Sequence, residues 1–299
     1  TAKRNKKIDF LIYTDQNVDQ LEILNAENIE FKTLSFDDLR KKVQSKFDFE
    51  ISLKTPYKLC DYRAAYGLIF EEELKEYDYW GFCDTDVLLG DIYQFLEEHS
   101  FFENDYARYG LLGHLQIFKN SQEVNHVFMS GQGLNYRLDY HNVFTNEQTF
   151  IFDEADGIQK IFEKSNFKQL QDKFFHDIDI SHFSFREYGE NEPKRYYFWS
   201  EKNGLESIEI KDNKLVVKHP LYAHFQKRTI ECPEFEVVDS FYVIPNRLVV
   251  GDKISIQEIE KVTNNRFYWE YVKSTFLKKF KREKWTLGFI RHKLRMKSK

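Results

Sequence analysis

Long apolar runs are absent from this 299-residue chain. No charge-free stretch approaches the roughly 20 residues that a spanning helix needs, and mean hydropathy is −0.62. That excludes a helical membrane-spanning protein. The basic segment Thr1 to Lys7 lacks the apolar core of a secretory leader, so none is expected there. Cysteine is scarce as well. Cys60, Cys83 and Cys232 are too widely spaced for a zinc pattern and cannot all pair, which points to a reducing compartment and hence to the cytoplasm. No phosphate-binding loop and no Gly-x-Gly-x-x-Gly turn occurs, so ATP and dinucleotide enzymes rank low. No internal repeat marks a solenoid or propeller.

An excess of positive charge is also missing: 44 Lys+Arg stand against 49 Asp+Glu, a formal charge of −5, which argues against a nucleic-acid-coating protein. The distribution is uneven. Lys273 to Lys299 holds 11 basic residues and one acid, Glu283, so the tail carries +10 and the remainder −15. Within Val272 to Lys299 the pairs Phe276/Phe280, Trp285/Phe289 and Ile290/Leu294 are spaced i, i+4, so a helix would gather apolar groups between cations. Such a segment reads as a binder of anionic membrane surfaces; packing on the acidic body is the alternative.

What is present is aromatic, with 29 Phe and 18 Tyr, and organised in two styles. Ile8 to Tyr13 reads as a buried strand closed by turn-forming Thr14 to Asn17. Asp37 to Val43 and Thr55 to Glu76 carry helical spacing, with Thr55-Pro56 as helix start. Tyr79 to Cys83 is a strand running into Asp84-Thr85-Asp86; Gly90 and Asp91 open a helix through Glu98. Tyr109 to Phe118 and Thr149 to Phe152 are further strand candidates. From Tyr196 the pattern becomes hairpins: Tyr196 to Trp199, Ser207 to Ile210 and, after the turn Lys211 to Lys214, Leu215 to Lys218. Alternating elements followed by antiparallel ones predict an α/β fold, with a mostly parallel central sheet, additional antiparallel strands and a C-terminal helical tail. The expected domains are 1–235 and a C-terminal extension, 236–299.

Asp84-Thr85-Asp86 falls at a strand end, where open α/β sheets place ligands. Two carboxylates spaced i, i+2 on an extended segment face the same side and can share one hard cation. The tripeptide alone is weak evidence, since Asp177-Ile178-Asp179 repeats the pattern.

Together with Pro56-Tyr57-Lys58-Leu59-Cys60-Asp61-Tyr62-Arg63 and Tyr77 to Ile92, this block resembles bacterial glycosyltransferases of capsule, exopolysaccharide and O-antigen synthesis. The similarity runs from Ile8 to about Arg228, with four blocks in order. It implies a GT-A-like, Rossmann-like fold in which Asp84 and Asp86 hold a divalent cation, Mn2+ or Mg2+, against the diphosphate of a UDP-sugar. It also implies that Lys58, Asp61 and Arg63 lie near the nucleotide, that His224 completes the metal site, and that Lys227 or Arg228 lies near the diphosphate. In Tyr109 to Leu115 flexible glycine backbone lets main chain approach a sugar or acceptor closely, with Gly113 and His114 as the candidate binding residues. Asp153-Glu154-Ala155-Asp156 falls where inverting members keep their catalytic carboxylate. Glu154 is preferred for reach, Asp153 is the second candidate and Asp156 the reserve. Members of the family carry a further strand and helix upstream of the segment matching Ile8 to Asp15.

The expectation is therefore a metal-dependent, inverting transferase moving galactose or galactofuranose from a UDP-sugar to a lipid-linked glycan at the inner membrane face, with no nucleic-acid partner. A non-catalytic sugar- or nucleotide-binding protein and a metal-dependent phosphohydrolase are the competing readings.

Overall fold

The computed structural model describes residues 1–18, 26–131, 133–191, 193–233 and 238–263. The chain divides into two compact units, Thr1–Phe175 and His176–Lys299. The basic tail from Val272 lies outside the described residues.

The first unit begins with β1 (Phe10–Thr14) parallel to β2 (Ile29–Thr33), Phe10 opposite Ile29. This pair is half-buried rather than the buried strand expected, and Ile12 is exposed. Helix α1 (Phe36–Gln44) starts at Ser35, whose hydroxyl accepts the Asp38 N–H, and turns Val43 into the core. The predicted helix Thr55 to Glu76 is instead a chain of short pieces: 3-10 turns Pro56–Asp61 and Arg63–Ala65, then α2 (Tyr66–Ile69) and α3 (Glu71–Leu74).

Strand β3 (Tyr79–Cys83) ends at the Asp84-Thr85-Asp86 turn, followed by β4 (Val87–Leu89) and α4 (Ile92–Glu98), which Asp91 caps by accepting the Gln94 N–H. The predicted strand Tyr109 to Phe118 is split by a glycine-bearing turn into β5 (Arg108–Tyr109) and β6 (Leu115–Lys119). Short helices α5 (Gln122–Asn125), α6 (Tyr140–Thr145) and α7 (Ile158–Lys164) precede β7 (Gln169–Leu170). The sheet order is β3-β6-β5-β7, antiparallel at the first two pairings and parallel at the last. Its core is aromatic: Trp80 stacks on Phe118 at 4.5 Å between centroids and donates Nε1–H to Asn125 at 2.8 Å, so the indole's polar atom is satisfied as it is buried.

In the second unit β8 (His176–Asp177) pairs in parallel with β12 (Tyr222–His224). β9 (Arg195–Ser200), β10 (Gly204–Lys211), β11 (Lys214–Lys218), β13 (Ser240–Ile244) and β14 (Arg247–Val250) form an antiparallel sheet in the order β11-β10-β9-β13-β14. Helix α8 (Ile256–Val262) starts with a Ser255/Glu258 capping box and buries Ile259 in the core with Tyr196, Phe198 and Ile208. The protein is thus mixed α/β. The mostly parallel sheet read from the sequence is corrected here: the antiparallel pairings extend into the first unit, where β6 returns against β3.

Candidate functional site

Asp84 leaves β3 with its N–H bonded to the His114 carbonyl at 2.7 Å, one step beyond the Cys83/Leu115 register. The ladder therefore fixes the backbone of Asp84, while Thr85 and Asp86 turn outward and are exposed. The pair occupies a turn, not the extended segment that the i, i+2 argument assumed.

Arg63 sits beside it. Its guanidinium lies over the Phe82 ring at 5.2 Å and donates to Asp84 Oδ1 at 2.5 Å, to Asp153 Oδ2 at 3.0 Å and to the Gly113 carbonyl at 3.0 Å. One cation thus ties the Asp84 turn, the glycine turn before β6 and the acidic segment after Phe152. The two carboxylates hold the Arg63 proton more firmly against the opposing effect of burial.

Asp153 is 1% exposed. Burial pushes its carboxyl up to about 7; Arg63 opposes the rise and neighbouring Glu154 adds to it. Its Oδ1 is buried without a hydrogen-bond partner among the described residues, an arrangement that costs free energy unless a ligand uses the atom. Gly113 abuts it: a Cβ there would stand 2.8 Å from Asp153 Oδ2 and 3.2 Å from Glu154 Cγ. The close approach that Gly113 permits is thus to the acidic segment itself. Glu154 is half-buried. Asp156 is exposed and paired with Lys160 Nζ at 2.6 Å, a surface i, i+4 ion pair.

Lys58 and Asp61 are buried, at 1% and 0% exposure. The Lys58 ammonium donates to Asp61 Oδ2 at 2.7 Å and to the carbonyls of Val143 and Gln148 at 2.7 and 2.6 Å. Its three hydrogens are matched by three protein acceptors. Asp61 also accepts the N–H groups of Phe150 and Phe152. His114 is buried on β6's approach, its ring near Phe175.

In the second unit His224 Nδ1 donates to Asp177 Oδ1 at 2.8 Å, and the two are register partners of β12 and β8. The carboxylate fixes the tautomer in which Nε2 carries the lone pair, the arrangement typical of a metal-ligating imidazole. Arg228 is buried and its guanidinium donates to the carbonyls of Phe183 at 2.7 Å and His182 at 2.6 Å, while Lys227 is exposed. Asp84 and Asp86 offer hard carboxylate oxygens, and within the second unit His224 and Asp177 offer an oriented imidazole and its carboxylate partner, ligand types that suit Mn2+.

Two site residues escaped the sequence reading. Gln116, fully buried in β6, donates to the Asp153 carbonyl at 2.5 Å and accepts from buried Arg108 at 3.2 and 3.0 Å. A glutamine inside an apolar strand was the available signal. Asp177 carries in the sequence only an Asp-x-Asp spacing that an acidic chain repeats by chance.

A mixed α/β protein with a buried, arginine-tethered carboxylate beside a strand-end acidic turn is the class that fold and site define. The chain belongs to a family of unknown function, DUF6625, which matches residues 1–252. Comparison with curated proteins and with solved structures returns no match.

Proposed function

We propose that this protein is a metal-dependent, inverting glycosyltransferase of GT-A-like fold that moves a hexosyl unit, galactose or galactofuranose, from a UDP-sugar to a lipid-linked glycan. The observation that carries the reading is the Arg63 bridge between Asp84 and Asp153, which joins the strand-end acidic pair to a buried carboxylate within one unit. Asp84 and Asp86 would hold the divalent cation, which when bound would neutralise charge on the departing diphosphate. Arg63 is the proposed donor-side cation.

Asp153 is the proposed base, in preference to Glu154, because its carboxyl is poised at about 7 and its Oδ1 has no hydrogen-bond partner among the described residues. It takes the proton of the acceptor hydroxyl as that oxygen attacks the anomeric carbon; the bond to the nucleotide breaks on the opposite face and UDP leaves with the electron pair. A single displacement inverts the anomeric centre.

The test is UDP release from UDP-galactose and UDP-galactofuranose with Mn2+ or with EDTA. Release that requires Mn2+ and is abolished in Asp86→Asn supports the reading. Equal release in EDTA, or an Asp86→Asn protein with normal turnover, overturns it. Donor binding without release favours the non-catalytic alternative.

A further inference from the structure

We propose that the buried Lys58–Asp61 pair is a positioning device that bends the chain at Ile151 and so sets where the Asp153 carboxylate stands. The role of that carboxylate rests on the functional reading above; the geometry of the clamp does not.

A buried ion pair contributes little net stability, because desolvation of both charges offsets their attraction. What distinguishes this pair is where its remaining valences go. Lys58 takes the carbonyls of Val143 and Gln148, and Asp61 Oδ1 takes the N–H groups of Phe150 at 3.1 Å and Phe152 at 3.0 Å. Tyr62, next in sequence, donates its hydroxyl to the Phe144 carbonyl at 2.9 Å. The short 3-10 segment thus grips 143–152 at several points.

The grip dictates a shape. In an extended strand, N–H groups two residues apart are separated by about 6.7 Å. One oxygen accepting both at these distances cannot have them more than about 6 Å apart, so the chain must curl between them. It curls at Ile151, which has φ 57°. Left-handed backbone is costly for a β-branched residue, and packing does not repay it, since Ile151 is 41% exposed. The strain is imposed by the clamp. Its product lies immediately downstream. The Glu154 N–H returns to the Ile151 carbonyl at 3.2 Å, Phe152 enters the core, and its carbonyl accepts the Ile158 N–H at 2.8 Å. Gly157 is required for that last contact, as a Cβ would lie 2.0 Å from the Phe152 oxygen. Asp153 is therefore held between two fixed points, with Arg63, Glu154, Cys60 and Tyr66 as the ionisable groups around it among the described residues.

The test follows the Asp153 carboxyl by 13C NMR titration of aspartate-labelled protein, which needs no substrate. Ile151→Gly preserves access to left-handed backbone and should leave the Asp153 titration as in the wild type. Ile151→Pro, which forbids that backbone, and Lys58→Met/Asp61→Asn, which loosens the grip, should both let the carboxyl reach water and lower its proton affinity at least tenfold. A folded Ile151→Pro or double variant with an unchanged Asp153 titration overturns the proposal. So does Ile151→Gly with a shifted one, which holds even if the other variants fail to fold. UDP release in the same proteins separates the two claims: a displaced titration with unchanged release leaves the clamp standing and removes Asp153 as base.

Discussion

Asp153 and Glu154 are adjacent carboxylates that burial makes unlike. The buried one holds its proton to about pH 7 and must lose it to act as base, so kcat/KM should rise with pH through about 7 and then level off. Asp153→Asn should cost about 10²–10⁴ in turnover with donor binding retained, measured by UDP release and by thermal shift with UDP. The same shift bears on stability. Between the ordinary carboxyl value of 3.8 and about 7 the folded state binds more protons than the unfolded one, so this group's contribution is present below that window and is lost as pH rises through it. Gly113→Ala should displace the acidic segment, because its Cβ would meet Asp153 Oδ2 at 2.8 Å. Overpacking of this kind costs about 1–3 kcal/mol, to be read from urea melts. The choice between Asp153 and Glu154 was not legible in the sequence, since side-chain length argued for Glu154 while the Arg63 bond to Asp153 and the Asp61 bonds to the segment before it span some 90 positions.

Elements governed by local rules follow the sequence closely. Asp37 to Val43, the strand Tyr79 to Cys83 and the helix opened by Asp91 all form within a residue or two of their patterns. The hairpin joining β10 and β11 turns on Asp212 and Asn213 at φ 49° and 56°, both left-handed, as a two-residue turn between twisted strands requires. Asn213→Val should destabilise by about 1–2 kcal/mol through the left-handed penalty, again by urea melt. Where a distant partner intervenes, pattern fails. Thr149 to Phe152 has strand composition, yet the N–H groups that a ladder would use are taken by Asp61. Thr55 to Glu76 has helical spacing, yet it folds as short pieces in which Lys58 and Asp61 bond to residues 143–152 and Gly67 lies so close to Asn125 that a Cβ there would stand 2.4 Å from its Oδ1.

At the scale of the whole chain, charge is segregated: the tail from Lys273 carries +10. No helix among the described residues is long and apolar enough to cross a membrane. Peripheral attachment through the tail is the proposal that fits the charge distribution, each Lys or Arg near an anionic surface adding about 1 kcal/mol. Flotation with anionic liposomes should recover the full chain at low salt and lose it at high salt; truncation after Tyr271 should abolish flotation, and unchanged flotation would leave the tail as packing.

Composition, charge and short-range pattern determined by themselves the mixed α/β class, the strand that delivers Asp84, the hairpins after Tyr196 and the basic tail, because each depends on neighbours a few residues apart. Only the tertiary structure decided the mixed strand directions, the burial of Lys58 and Asp61, and the tethering of Asp153 to Asp84 through Arg63. Those outcomes hang on hydrogen bonds between residues 21 to 91 positions apart, and on the cost of leaving a buried polar group unmet, which no local pattern records.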